Sequence, residues 1–256
     1  MARPELDAAH FLPDAISLGT AALLVIASIF TSAVTAAFGV GGGVMMLVLM
    51  GLFMPVAALI PVHGVVQFGS NAGRAWHMRR STVLPLLLPF AAGGLVGAFA
   101  GGALVTDLPE ALLKTVLAVF IIVLTWVKLP PLPGVRSPLA FGIGGAISTA
   151  LTMFIGATGP LVAALMAKTF DNRQQVVANS AVAMATQHVL KVGVFGVLGF
   201  NLAPWLPLAF AMIGSGYLGT LLGAKSLERM DEARFRFWFR IGVTVLAVEL
   251  LRRVVF

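Results

Sequence analysis

Between Ala15 and Gly73 the chain carries no Asp, Glu, Lys or Arg. As a single helix that stretch would be about 89 Å long, roughly three times the ~30 Å hydrocarbon core of a bilayer. It must therefore fold back on itself, and its surroundings must be lipid or packed protein. The stretch holds two candidate break points, Phe38-Gly39-Val40-Gly41-Gly42-Gly43 and Met54-Pro55. Glycine in a helix costs up to about 1 kcal/mol relative to alanine, so three in a row mark an interruption.

Composition extends this to the whole chain. Apolar residues make up 59% of it and charged residues 11%, whereas about a quarter of a soluble domain is charged. The expected fold class is an all-α, polytopic membrane protein. The net charge of +7 is then no sign of nucleic-acid binding, because basic residues in such proteins mark cytoplasmic loops. The lack of cysteine excludes disulfides, thiolate catalysis and thiolate metal sites. Residues 1–14 lack the basic flank of a secretory leader and are expected to remain as a non-membrane segment.

Hydropathy and breaks predict segments at 15–38, 43–54, 56–77, 83–105 and 109–128, then 137–156, 159–170, 173–200, 204–224 and 231–253. Those at 43–54 and 159–170 are too short to cross a bilayer and read as half-helices. The second five echo the first. Gly39 and Gly42 match Gly156 and Gly159 at a spacing of 117 residues, and so do Asn71 with His188 and Arg74 with Lys191. Beyond a five-residue insertion near Gly199–Pro204 the spacing becomes 122, pairing Pro85 with Pro207, Gly94 with Gly216, Gly97 with Gly219, Gly101 with Gly223 and Glu110 with Glu232. Two repeats are expected, residues 15–130 and 137–256, each a glycine-broken helical hairpin followed by three spanning helices.

Basic residues set the orientation. Arg79 and Arg80 form one cluster, Lys225, Arg229, Arg234 and Arg236 another, and Lys128, Arg136, Lys168 and Arg173 mark further turns. The turns at Thr106–Pro109 and Phe200–Pro204 have no Lys or Arg. Placing the basic ends in the cytoplasm makes the repeats inverted, with Arg252 and Arg253 left on the outer side. The glycine-rich tips of both hairpins would then meet near mid-bilayer. A glycine break at the same point of two repeats is the sequence-level pointer to a transporter's binding site.

Lys191 is the only charged residue from Gln174 to Ala224. Such a residue deep in a membrane segment faces a pathway or a partner more often than lipid. Gln187 and His188 precede it on one helix face. In the first repeat Gln67, Asn71 and Arg74 hold the corresponding face, although Arg74 reads equally well as an anchor at the cytoplasmic interface. The first turns of the half-helices, around Gly41, Gly42 and Gly43 and around Thr158 and Gly159, would offer free backbone N–H groups, which favour anions. No Asp or Glu lies in the middle of any segment, so protons, if they couple to transport, would use His188 and His63. Asn179 is a weaker candidate for the same cavity. No catalytic constellation and no metal or cofactor motif is found. These residues point to a small anion as ligand and to a transporter rather than an enzyme. A carboxylate permease and a non-transporting membrane subunit are the alternatives.

The chain resembles the sulfite exporter TauE/SafE family. The resemblance rests on Phe38–Gly43, the half-helix ending at Pro55, Gln67-Phe68-Gly69-Ser70-Asn71 with the basic turn at Arg79–Arg80, Gly156–Pro160, and the glycine-rich helices Gly94–Gly101 and Gly216–Gly223. It implies a bacterial inner-membrane permease that moves sulfite, sulfoacetate or related organosulfur anions outward using the proton gradient. His188, standing opposite Asn71, departs from the family pattern.

Overall fold

A computed structural model of the chain describes residues 12, 13, 15–38, 41–105, 109–127, 137–226 and 232–255. The N-terminal segment up to Phe11, Asp14, Gly39, Val40, the turn residues Thr106 to Leu108, and Lys128, Arg136 and Arg229 lie outside the described residues. Among the described residues the chain is helical, with no strand. The helices are α1 (Leu18–Phe38), α2 (Gly42–Gly51), α3 (Val56–His77), α4 (Leu84–Val105) and α5 (Glu110–Trp126), then α6 (Pro138–Ile155), α7 (Gly159–Thr169), α8 (Arg173–Val197), α9 (Leu206–Ser226) and α10 (Glu232–Val255). Five stretches, within α1, α4, α6, α8 and α9 (the last beginning at Ala203), are long and apolar enough to cross a membrane.

Local chemistry explains the boundaries. Pro138 sits in the first turn of α6, and the Ser137 hydroxyl accepts from the Ala140 N–H at 3.2 Å. Asn172 caps α8 by accepting from Gln174 N–H at 2.8 Å. The segment expected to run to residue 200 stops at Val197, because Gly199 (φ 93°) turns the chain. The N–H groups of Gly199 and Phe200 there return to the carbonyls of Gly196 and Phe195, at 3.1 and 2.9 Å. The half-helix expected over 43–54 begins at Gly42 and ends at Gly51, since the residue before Pro55 is steered out of the helical region. With 10 and 11 residues, α2 and α7 are about 15–17 Å long, half the depth of a bilayer core.

The expected spacings return in the element boundaries. The ends of α1 and α6 (Phe38, Ile155), the starts of α2 and α7 (Gly42, Gly159) and the starts of α3 and α8 (Val56, Arg173) are each 117 residues apart. The starts of α4 and α9 (Leu84, Leu206) and of α5 and α10 (Glu110, Glu232) are 122 apart. Packing follows the same pairing. The helix pairs in closest association are α4 with α6 and α1 with α9, with α3 against α8 and α5 against α10. Gly97 lies so close to α6 that a methyl group there would collide with the Ala146 carbonyl; Gly219 lies the same way against the Ile29 carbonyl of α1. Gly94 faces Thr149 while Gly216 faces Ser28 and Ser32. Gly93 rests on the Gly142 carbonyl, and its counterpart Ser215 donates to the Val25 carbonyl at 2.8 Å.

The interior holds an apolar core, with Leu24, Leu47, Met50, Phe90 and Phe141 fully buried, and a set of polar side chains besides. Ser28, Thr31, Asn71, Thr149, Thr152, Gln187 and Lys191 are buried, while Leu88, Val96, Phe210 and Leu222 are exposed. That distribution suits lipid as solvent: large apolar side chains face outward while polar side chains are kept inside.

Alanine at Gly97 or Gly219 forces backbone away from backbone, which has no flexible atom to yield. Each of Gly97→Ala and Gly219→Ala should destabilise the protein by about 1–3 kcal/mol. Gly193→Ala and Gly214→Ala, where a methyl meets nothing within 4 Å, should be neutral or stabilising by up to about 1 kcal/mol. Thermal unfolding of the four variants in detergent checks this, and equal effects at all four sites would contradict the packing.

Candidate functional site

The two interruptions create the site. The α6 helix ends at Ile155, and Gly156 turns left-handed with φ 75° before α7 starts at Gly159. On the other side α2 starts after Gly41, whose φ of 109° suits only glycine. Side chains of α3 and α8 run past both breaks. Between them lies a cavity of about 40 Å³, room for a few waters or a small anion. Its wall takes Gly41, Gly43 and Val44 from around the start of α2, and Ala157 to Pro160 from the second break. His63, Gln67, Asn71 and Arg74 come from α3, and Met184, Gln187 and His188 from α8.

Several of these side chains are held by backbone and others by neighbouring side chains. His63, fully buried, donates from Nε2 to the Gly43 carbonyl at 2.9 Å. Asn71 Nδ2 donates to the Gln67 carbonyl at 2.8 Å, and its Oδ1 accepts from Arg74 Nη2 at 3.1 Å. Gln67 lies so near Gly43 that a methyl group on that glycine would sit 2.9 Å from its Oε1. On the opposite wall Gln187 Nε2 donates to Ser148 Oγ at 2.7 Å, and Ser148 donates on to the Gly144 carbonyl at 2.6 Å. Thr158 Oγ1 lies 3.2 Å from the Ser148 carbonyl and 3.4 Å from Gln187 Oε1. The His63 and His188 rings meet edge-to-face, with centroids 6.0 Å apart. Among the described residues no Asp or Glu lines the cavity. The wall therefore offers a guanidinium, amides and imidazoles, a set suited to a small anion.

Of the residues singled out from sequence, Gln67, Asn71, Arg74, His63, Gln187, His188, Gly41, Gly43, Thr158 and Gly159 are brought together at the cavity. Gly42 is buried just behind it, pressed against Thr31 and Thr35 of α1. Lys191 is fully buried and one layer further back, where its ammonium donates to the Gly156 carbonyl at 2.9 Å. Its stem crosses Gly64 of α3, where a methyl group would come within 2.8 Å of Cε. Asn179 lies elsewhere: it accepts from Val83 N–H at 2.8 Å and donates to the Ser81 and Gln175 carbonyls, tying α8 to the turn before α4. Thr35 of α1 and Met184 of α8 line the cavity without having been singled out. For Thr35 a signal existed, since Thr31, Ser32 and Thr35 recur as Ser148, Thr149 and Thr152 at the spacing of 117.

The sulfite exporter TauE/SafE profile matches residues 24–250, nearly the whole chain. This protein belongs to the sulfite exporter TauE/SafE family. No curated protein and no solved structure matched it. Membership of the TauE/SafE family makes the chain a multi-pass membrane transporter of the anion-exporting type, not an enzyme, with a small anion as its substrate.

The Gln187–Ser148 bond and the buried hydroxyls of Thr149 and Thr152, which have no hydrogen-bond partner, give opposite expectations. Ser148→Ala should cost about 1–3 kcal/mol, because it orphans the Gln187 amide. Thr149→Val should be neutral or stabilising, because it removes an unpaired polar group without changing shape. Urea or thermal unfolding of the two variants decides; a strongly destabilising Thr149→Val would show that its hydroxyl holds something.

Proposed function

We propose that the chain is a secondary transporter that exports a small sulfur oxyanion or organosulfonate, such as sulfite or sulfoacetate, across the bacterial inner membrane. Two inverted repeats, residues 15–130 and 137–256, alternate the access of one central site, and proton movement drives the cycle. The observation that carries this reading is the cavity between two broken helices, walled by Arg74, Asn71, Gln67, Gln187 and two histidines, with no carboxylate among the described residues that line it.

Repetition of the contacts supports the reading of two repeats, and the placing of basic turns supports their inversion. The contacts of Gly97 with Ala146 and of Gly219 with Ile29 relate equivalent positions of the two halves in two matching interfaces, α4 with α6 and α9 with α1. Arg74, with Asn71 holding its guanidinium, balances the ligand's charge at the wall. The starts of α2 and α7 add backbone N–H groups from their first turns, where helices leave donors unpaired. Lys191 acts from behind the wall: bonded to Gly156, it holds the end of α6 against α8 and keeps positive charge close to the cavity. Among the described residues of the wall, the histidines are the side chains whose ordinary pKa lies near neutrality, which makes them the candidates for proton coupling.

Lys191→Ala should insert normally and abolish transport. Arg74→Ala should reduce it about 10- to 100-fold, the worth of one hydrogen bond to a charged group. Sulfite efflux from proteoliposomes measures both, with acetate as the competing substrate. Undiminished sulfite flux in Lys191→Ala would refute that residue's role, and acetate transport in preference to sulfite would refute the substrate class.

A further inference from the structure

The helices α3 and α8 pack together as a partition with two unlike faces. On the inner face Gln67, Asn71 and Arg74 of α3 and Gln187 and His188 of α8 line the cavity. On the outer face Phe68, Ala72, Ala75 and Trp76 of α3 and Ala185 and Val189 of α8 line a groove of about 520 Å³. The α3 residues follow helical spacing, so they form one stripe about 12 Å long. Ala72, Ala75 and Ala185 are too small to fill the space between the helices, and the groove is the result. Apart from Arg79 and Thr186, every residue lining it is apolar. The Thr186 hydroxyl is returned to its own helix, donating to the Val182 carbonyl at 3.0 Å.

A cation stands at one end. Arg79, in the turn between α3 and α4, is exposed, and its guanidinium lies 4.8 Å from the centre of the Trp76 ring. Its Nη1 donates to the Trp76 carbonyl at 3.1 Å, which leaves further N–H groups of the guanidinium to give. Arg80 follows it and is exposed too. Among the described residues no Asp or Glu lines the groove. Trp76 is 71% exposed, and a tryptophan beside a basic turn at the end of an apolar helix marks the membrane–water interface. The groove therefore runs from hydrocarbon up to a positive charge at headgroup level.

We propose that this groove is a binding site for one anionic phospholipid, with an acyl chain between α3 and α8 and the phosphate on Arg79. Charge favours this occupant over a second copy of the chain. A copy related by the usual two-fold, and sharing this one's orientation in the membrane, would bring its own Arg79 and Arg80 to the same depth, like charge facing like. The bound lipid packs the outer face of the two helices whose inner faces hold the cavity side chains.

Brominated lipids quench a tryptophan that they touch. The protein is reconstituted in phosphatidylcholine bilayers holding the same small fraction of dibrominated phosphatidylglycerol or dibrominated phosphatidylcholine. Subtracting the quenching seen in Trp76→Phe isolates the Trp76 signal. Phosphatidylglycerol should reach Trp76 about fivefold more than phosphatidylcholine does, the worth of one arginine near an anionic headgroup. Arg79→Gln should make the two lipids equal. Ala185→Leu, which fills the groove and keeps Arg79, should weaken the preference. Equal quenching by the two lipids in the unmodified protein overturns the proposal, and so does an undiminished preference in either variant. Quenching of Trp76 by neither lipid also overturns it, because something other than lipid then covers the groove. Should Trp76→Phe resist purification, native mass spectrometry of the unmodified protein carries the same contrast: phosphatidylglycerol retained over phosphatidylcholine supports the site, and equal retention overturns it.

Discussion

A helix interrupted inside hydrocarbon leaves backbone groups with no water to satisfy them, at a cost of several kcal/mol for each one exposed to lipid. Much of this structure answers that constraint. At the second break the Gly156 carbonyl, left over where α6 ends, receives the Lys191 ammonium. Carbonyls inside the adjoining helices take further bonds: that of Ser148 lies within hydrogen-bond reach of the Thr158 hydroxyl, and that of Gly43 accepts from His63 Nε2, fastening α3 to the start of α2. These groups sit around or just behind the cavity. The same polar chemistry that makes the breaks tolerable therefore equips a binding site.

Holding those groups in place is the task of small residues. The α4 helix can approach α6, and α9 can approach α1, only because Gly93, Gly97 and Gly219 carry no side chain at the contacts. Each of these pairs joins a helix of one half to a helix of the other. The halves are thus exchanged around a shared centre rather than stacked as separate units. The ends of the bundle are tied similarly: Arg253, paired with Glu249 at 2.8 Å, also donates to the Leu52 carbonyl at the end of α2.

Much of this was legible in the sequence, and particular residues show where legibility stops. The half-helices were written in Gly41–Gly43 and Gly159-Pro160, because glycine and proline act on their own segment. Lys191 stood out as the sole charge in a long apolar run, yet its partner is a backbone carbonyl, which has no sequence signature. For that reason it was expected at the cavity and is found one layer behind. The glycines of α4 and α9 announced close packing but not the partner helix, since a carbonyl surface looks alike on every helix. Asn179 looked like a cavity residue by depth alone, whereas its helix face turns it toward the turn before α4. Thr35, whose hydroxyl bonds back to its own helix at 3.0 Å from the Thr31 carbonyl, looks like any helical threonine until the repeat spacing is applied to it, which is why it was missed.

The lack of cysteine allows a clean test of the arrangement that gives the breaks their meaning. The turn between α3 and α4 and the turn between α8 and α9 occupy the same place in the two halves, and Arg80 and Asn201 within them are exposed. Single-cysteine variants Arg80→Cys and Asn201→Cys, labelled with a membrane-impermeant maleimide in right-side-out and inverted vesicles, report the face of each turn. Inverted repeats predict Arg80→Cys labelled only from the cytoplasm and Asn201→Cys only from outside. Labelling of both from the same side would contradict inversion and remove the mid-membrane meeting of the two breaks on which the transport reading stands.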